Sequence, residues 1–220
     1  MLIGHRGHSM HFPENTMLAF KNVNSKSIEF DVRKTRDNIP VVLHDCTLER
    51  TTTGNGSIKD MDWNDLQKVS IRNTSENIPS LERVFQELGS EYFYDVEIKT
   101  RDTASLVVDA IRASGIPKNN FLITSFKWDE IATVRELDEE IFTGLISVVR
   151  PALAIRKAFS IGCKVVVLNH RVVTKNLIRY ASECDMKVFA YTVNDPIEIR
   201  KLFLFGVAAV ITDDPNQTIF

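Results

Sequence analysis

The 220 residues, 44% of them hydrophobic, fit one large domain or two small ones, the single domain being the simpler reading. With 27 Lys and Arg against 29 Asp and Glu the net charge is -2, which supplies no overall positive field for nucleic acid or anionic membrane, so an anionic partner must be caught by local cations or a metal. No apolar run approaches the ~18 residues of a membrane span, no signal peptide precedes Leu2, and Cys46, Cys163 and Cys184 lack a Cys-x-x-Cys pair, so a cytoplasmic protein with buried, reduced thiols and no transmembrane segment is expected.

In chain order, Leu2-Ile3-Gly4 reads as the end of a first strand. Thr16 to Val23 reads as a helix with apolar Met17, Phe20 and Val23 a turn apart, and Ser27 to Val32 as a second strand. The rhythm then breaks. Pro40 to His44 is a short extended piece, Thr51 to Gly56 a polar glycine loop, and Met61 to Val69 a short helix with Asp62 as its cap. A further helix opens at Pro79-Ser80 and runs to Leu88, so residues of about 46–79 form an excursion from the main sheet.

From Tyr92 onward strands and helices alternate regularly. Strands are expected at Tyr92 to Ile98, Phe121 to Thr124, Ile141 to Gly144, Lys164 to Leu168, Lys187 to Val193 and Ala208 to Ile211. Helices are expected at Thr103 to Ser114, Trp128 to Asp138, Ala152 to Ser160, Thr174 to Glu183 and Asp195 to Leu204. Eight β/α-type units in this length favour an α/β fold of the parallel (β/α)8 TIM barrel type over a doubly wound open sheet.

In such a barrel the C-terminal ends of the strands converge on one face, and the ionisable residues fall there: His5 and Arg6, Glu29 and Asp31, Glu97 and Lys99, and Asn194. Glu29 and Asp31 are two apart and share a strand face, flanked by apolar Ile28, Phe30 and Val32. Three carboxylates, Glu29, Asp31 and Glu97, converging among apolar strands repel one another unless a proton or cation intervenes. A hard divalent cation, Mg2+ or Ca2+, suits an all-oxygen set. A lone histidine near a strand end is usually structural, but His5 and His44, each beside a charged residue and near an acidic strand, are better explained together as an acid/base pair.

His8 and His11 read as loop residues at the mouth and His170 as structural. Pro13-Glu14-Asn15-Thr16 starts a helix with Asn15 or Thr16 as cap, and Glu14 serves either that start or the site. Ser125 and Phe126 resemble a strand-end polar contact and an apolar lid, with no nucleophile elbow around the serine. Arg50 and Lys59-Asp60 look like an ordinary solvated face.

The motifs together resemble the glycerophosphodiester phosphodiesterase family nearly end to end. They are Gly4-His5-Arg6-Gly7, Pro13-Glu14-Asn15-Thr16, Glu29-Phe30-Asp31-Val32, Pro40-Val41-Val42-Leu43-His44-Asp45, Thr51 to Gly56, Val96-Glu97-Ile98-Lys99, Tyr191-Thr192-Val193-Asn194 and Ile211-Thr212-Asp213. The resemblance implies a (β/α)8 barrel with a small insertion after the second strand, spanning 1–220 as one catalytic domain. It implies hydrolysis of a small-molecule glycerophosphodiester to glycerol 3-phosphate and an alcohol, with one divalent cation held by Glu29, Asp31 and Glu97. His5 and His44 would be the acid/base pair and Arg6 and Lys99 the phosphate contacts, with Glu14, Asn15, Phe126, Tyr191 and Asn194 around them.

Three departures stand out: the insertion is abbreviated between Ser70 and Asn77, which opens the alcohol side, Ala208-Ala209 stands where relatives more often carry an acidic or polar residue followed by glycine, and Tyr191 replaces the family's usual tryptophan. The alternatives are a lysophospholipid- or phosphoinositide-type phosphodiesterase on the same barrel, and a non-catalytic phosphate-ligand binding module. A binding module needs no acid/base pair.

Overall fold

A computed structural model describes residues 1–219. Strands β1 (Leu2–His5), β2 (Ser27–Lys34), β4 (Phe93–Ile98), β5 (Phe121–Ser125), β6 (Phe142–Ser147), β7 (Val165–Asn169), β8 (Lys187–Tyr191) and β9 (Ala209–Thr212) run parallel in the order β1-β9-β8-β7-β6-β5-β4-β2, and β1 pairs with β2 to close the ring. The barrel expected from the alternation is the fold. Helices α1 (Met17–Lys21), α3 (Leu81–Leu88), α4 (Ala104–Ser114), α5 (Trp128–Leu137), α6 (Pro151–Ser160), α7 (Lys175–Glu183) and α8 (Pro196–Phe205) cover its outside, each following one strand of the wall.

Period-two alternation explains both faces. Ile28, Phe30 and Val32 of β2 and Tyr94, Val96 and Ile98 of β4 belong to the outer core, packed with Met17 and Phe20 of α1 and Leu81, Val84 and Phe85 of α3. Phe85 and Phe121 meet edge to face with ring centroids 5.1 Å apart, and Tyr94 stacks on Phe121 at 5.2 Å. The barrel interior is apolar where β5 to β9 and β1 supply Leu122, Ile146, Val165, Val167, Phe189, Ala209, Ile211 and Ile3. On β2 and β4 the inward positions are acidic instead: Glu29, Asp31, Asp95 and Glu97, all buried. Fold maintenance does not ask for that, and it marks the end of the barrel where chemistry sits.

Between β2 and α3 the chain makes its excursion. β3 (Pro40–Val42) pairs antiparallel with the far end of β2, through Val32 and Val42, and α2 (Trp63–Leu66) follows a single turn of 3-10 helix at Ile58–Asp60. The excursion folds on its own small core of Val41, Leu43, Leu48, Ile58, Leu66, Ile71 and Ile78. Asp62 holds the cap position of α2 but makes no capping bond; its carboxylate pairs with Arg36, and Asp37 accepts the Trp63 amide instead at 3.0 Å.

Two helix starts are capped from other elements. Glu76 of the excursion accepts the Met17 and Leu18 amides of α1, both at 2.9 Å. Glu130 of α5 accepts the amides of Asp102, Thr103 and Ala104 at 2.7, 3.0 and 2.9 Å, so three donors that open α4 are satisfied by one buried carboxylate. Against the expectation of buried thiols, only Cys163 is buried, packed in the outer core; Cys46 is exposed and Cys184 half-buried. No helix among the described residues is long and apolar enough to cross a membrane.

Candidate active site

The β1–α1 turn begins the site. A Cβ on Gly7 would lie 2.7 Å from the Ala19 backbone, and Gly7 has φ +84°, so only glycine permits the turn to press against α1. Arg6 itself is left-handed at φ +55°, which aims its amide inward to Glu29 Oε2 at 2.9 Å. Asn15, at φ +58°, donates its amide to Asp31 Oδ2 at 2.9 Å, while Thr16 is the cap of α1, accepting the Ala19 amide at 3.0 Å. The cap is therefore Thr16, and Asn15 faces the site.

Strand register assembles the carboxylates. His5 pairs with Glu29 across β1 and β2, and Asp31 with Glu97 across β2 and β4, so inward side chains become neighbours. Oxygen atoms of Glu29, Asp31 and Glu97 all lie within 4.8 Å of one another. Burial, then the charges of Asp31 and Glu97, push Glu29 well above the usual carboxylate range. Burial would also raise Asp31, but Lys99 and Arg6 outweigh it and hold Asp31 below its ordinary value. Lys99 Nζ stands 3.3 Å from Asp31 and 2.8 Å from Glu97, and Arg6 Nε 3.2 Å from Asp31. One layer deeper, burial pushes Asp95 up to about 7, where Thr124 donates to it at 2.7 Å. This is a set of oxygen donors with more negative charge than its fixed cations balance, which fits a hard divalent ion.

Each histidine is held at Nδ1 by a carboxylate. His5 Nδ1 is 2.6 Å from Asp213 Oδ1, and His44 Nδ1 is 2.6 Å from Asp45 Oδ1. Nε2 is thereby the uncommitted nitrogen of each ring. Burial would raise Asp213, yet hydrogen bonds from His5, Asn194 and Ser9 bring it down to about 2. Asp45 is likewise lowered to about 2, first by its hydrogen bond from Arg50 and then by His44. Burial lowers His44, opposed by Asp31.

Glu14 settles between Arg6 and Arg50: Arg6 Nη1 donates to it at 2.9 Å and Arg50 through both Nη atoms at 2.8 and 2.7 Å. Arg50 is therefore not an ordinary solvated residue, and that expectation fails because the excursion folds back over the β1–α1 turn. Lys59 and Asp60 are exposed as expected. Phe126 meets Tyr191 edge to face at 6.1 Å, and both line a small cavity with His5, Glu29 and Glu97. Asn194 reaches Asp213 and Thr212 and so acts on His5 at one remove, donating to Asp213 at 2.6 Å.

A second group, His8, His11 and Asp214, also has its donor atoms within 4.8 Å of one another. The Asn216 amide is oriented by the Asn24 N–H on its oxygen and the Asn22 carbonyl on its nitrogen, both at 2.8 Å, so its NH2 faces His8 Nδ1. His8 Nδ1 is thereby already engaged by the Asn216 amide, and its Nε2 stands 3.1 Å from Asp214 without a hydrogen bond to it.

The profile of the glycerophosphoryl diester phosphodiesterase family matches residues 5–217. The Bacillus subtilis (strain 168) protein YhdW is 30% identical over 235 aligned residues, covering 99% of this chain and 96% of YhdW. A glycerophosphodiester phosphodiesterase of Caldanaerobacter subterraneus is 29% identical over 238 residues, covering 100% of this chain and 96% of its own. Among solved structures, an Oleispira antarctica phosphodiesterase in complex with sn-glycerol-3-phosphate superposes with a TM-score of 0.90 at 24% identity, covering 98% of this chain and 93% of that one. It shares the fold.

Proposed function

The chain belongs to the glycerophosphoryl diester phosphodiesterase family, and from that membership we propose that it hydrolyses glycerophosphodiesters to glycerol 3-phosphate and an alcohol with one divalent cation. One observation carries the reading: two imidazoles, each held at Nδ1 by a carboxylate, adjoin the cluster of three buried carboxylates, His5 sharing a small cavity with Glu29 and Glu97 and His44 lying within electrostatic reach of Asp31. Neither a binding module nor a structural barrel has use for two such imidazoles.

In this account Glu29, Asp31 and Glu97 hold the cation, Mg2+ or Ca2+. When bound, it acts as a Lewis acid toward the phosphoryl oxygens. Arg6 and Lys99 add fixed positive charge at the phosphate, where it strengthens as charge develops in the transition state. At Nε2 one histidine takes the proton of the attacking oxygen, and at its own Nε2 the other gives a proton to the departing alkoxide, otherwise a poor leaving group. Asp45 and Asp213 keep the opposite ring nitrogen protonated through both transfers. Phe126 and Tyr191 form an aromatic wall on the alcohol side.

We take residues 1–220 as one catalytic barrel with its insertion at about 46–79, acting in the cytoplasm; the unpaired state of Cys46, Cys163 and Cys184 supports that compartment. The substrate class is tested by assaying glycerophosphocholine and glycerophosphoethanolamine beside lysophosphatidylcholine. Release of glycerol 3-phosphate from the first two supports the reading. Cleavage confined to the acylated compound overturns it.

A further inference from the structure

The segment that carries His44 lies outside the barrel wall, whereas Arg6 follows β1 directly. Something must fix one against the other. Arg50 spans that gap. Its Nε pairs with Asp45 Oδ2, while Nη1 and Nη2 donate to the two Glu14 oxygens at 2.8 and 2.7 Å. The second Asp45 oxygen is 2.6 Å from His44 Nδ1, and Glu14 Oε1 also accepts from Arg6 Nη1 at 2.9 Å. The line therefore reads His44, Asp45, Arg50, Glu14, Arg6, with two carboxylates matched by two guanidinium groups. Apart from His44, no other cation among the described residues pairs with Asp45.

We propose that Arg50 is a positioning residue that locks the His44–Asp45 pair to the Glu14–Arg6 pair, and so sets the separation between an acid/base imidazole and the phosphate-binding guanidinium. The inference rests on the reading that His44 and Arg6 serve hydrolysis. The planar guanidinium is suited to this, because its donors leave in fixed directions and three of them reach two carboxylates at once. A lysine at the same place is a point charge and can hold only one of the two in a defined direction. Half-exposed ion pairs contribute little to global stability, so the effect of Arg50 should appear in the site and not in the melting of the barrel.

The test reads the downfield proton resonance of His44 Nδ1–H in metal-free protein, assigned by its absence in H44Q. In wild type the resonance is expected to be sharp; in R50A it should broaden or vanish while the thermal midpoint moves by no more than a few degrees. R50K keeps the charge, so it serves if R50A fails to fold, and it should also lose the sharp resonance. In turnover, R50A should lower kcat roughly 10- to 100-fold with a smaller change in KM, and D45N/R50A should be no slower than D45N alone, as expected for groups acting in one chain. A sharp His44 resonance in folded R50A or R50K overturns the proposal, as does a double variant whose loss is the product of the single losses. Wild-type protein that turns over no glycerophosphodiester would sink the catalytic reading instead, and the resonance would still decide whether Arg50 holds His44.

Discussion

His5 Nδ1 and Asp213 Oδ1 stand 2.6 Å apart although the two residues are 208 positions apart in the chain. β1 and β9 are adjacent in the ring, so this contact depends on closure of the barrel at its two ends. Folding and the placing of the His5 ring are thus a single event.

Asp213→Asn should lower kcat by roughly 100-fold or more, because the ring loses the acceptor that keeps its Nδ1 protonated. It should also change acid stability. Asp213 falls from an ordinary 3.8 to about 2 in the folded protein, so the pair stabilises the fold above the ordinary value and that contribution is lost as pH drops through about 2. The integrated amount is on the order of 2 kcal/mol at most. Urea unfolding between pH 5 and pH 2 should show a shallower loss in D213N than in wild type, and identical slopes would contradict the assignment.

Glu29→Gln should have opposite effects on the metal-free and metal-loaded protein. Burial and the neighbouring Asp31 and Glu97 raise Glu29 in the folded state, so metal-free stability declines as pH rises from the ordinary carboxylate range toward the raised value. Removing that charge should raise the metal-free thermal midpoint at pH 8 and abolish the rise that Mg2+ or Ca2+ gives wild type. Differential scanning calorimetry with and without chelator checks both. A cation-induced shift retained in E29Q argues against Glu29 as a ligand.

Glu130→Ala leaves the amides of Asp102, Thr103 and Ala104 without their acceptor at the start of α4. Orphaning buried donors costs about 1–3 kcal/mol each at most, and water entering the gap will recover part, so a total loss of about 2–4 kcal/mol is expected. Chemical denaturation measures it. A change below 0.5 kcal/mol on the same scale would mean that α4 finds another cap.

His44→Ala and His5→Ala should each lower kcat roughly 10²–10⁴-fold with the fold intact by circular dichroism. Folded variants that keep most of their turnover would place that histidine in binding.

Much of this was legible in the sequence because it rests on periodicity and local spacing. The inward set Glu29, Asp31 and Glu97 follows from the two-residue repeat of strands. What spacing cannot show is which distant groups meet. Asp213 stands in the sequence only as the last residue of the Ile211-Thr212-Asp213 motif, and its partner His5 is named by ring closure. Arg50 sits among exposed polar residues, and nothing local distinguishes it from a solvated charge; its role comes from the excursion folding onto Glu14. Asp45, adjacent to His44, carried the one local signal that was open to reading. Strand ends also differ: β6 extends to Ser147, beyond the expected Gly144, because the apolar pair Leu145 and Ile146 continues the pairing with β7. Asp62 sits at the expected cap position, but Arg36 across the excursion competes for its carboxylate.

The most direct test of the account is release of glycerol 3-phosphate from glycerophosphocholine by chelator-treated protein, before and after Mg2+ or Ca2+ is restored. The account predicts turnover that is lost on stripping, returns with the cation in wild type, and does not return in Asp31→Asn. Undiminished turnover by folded, metal-free protein would contradict it.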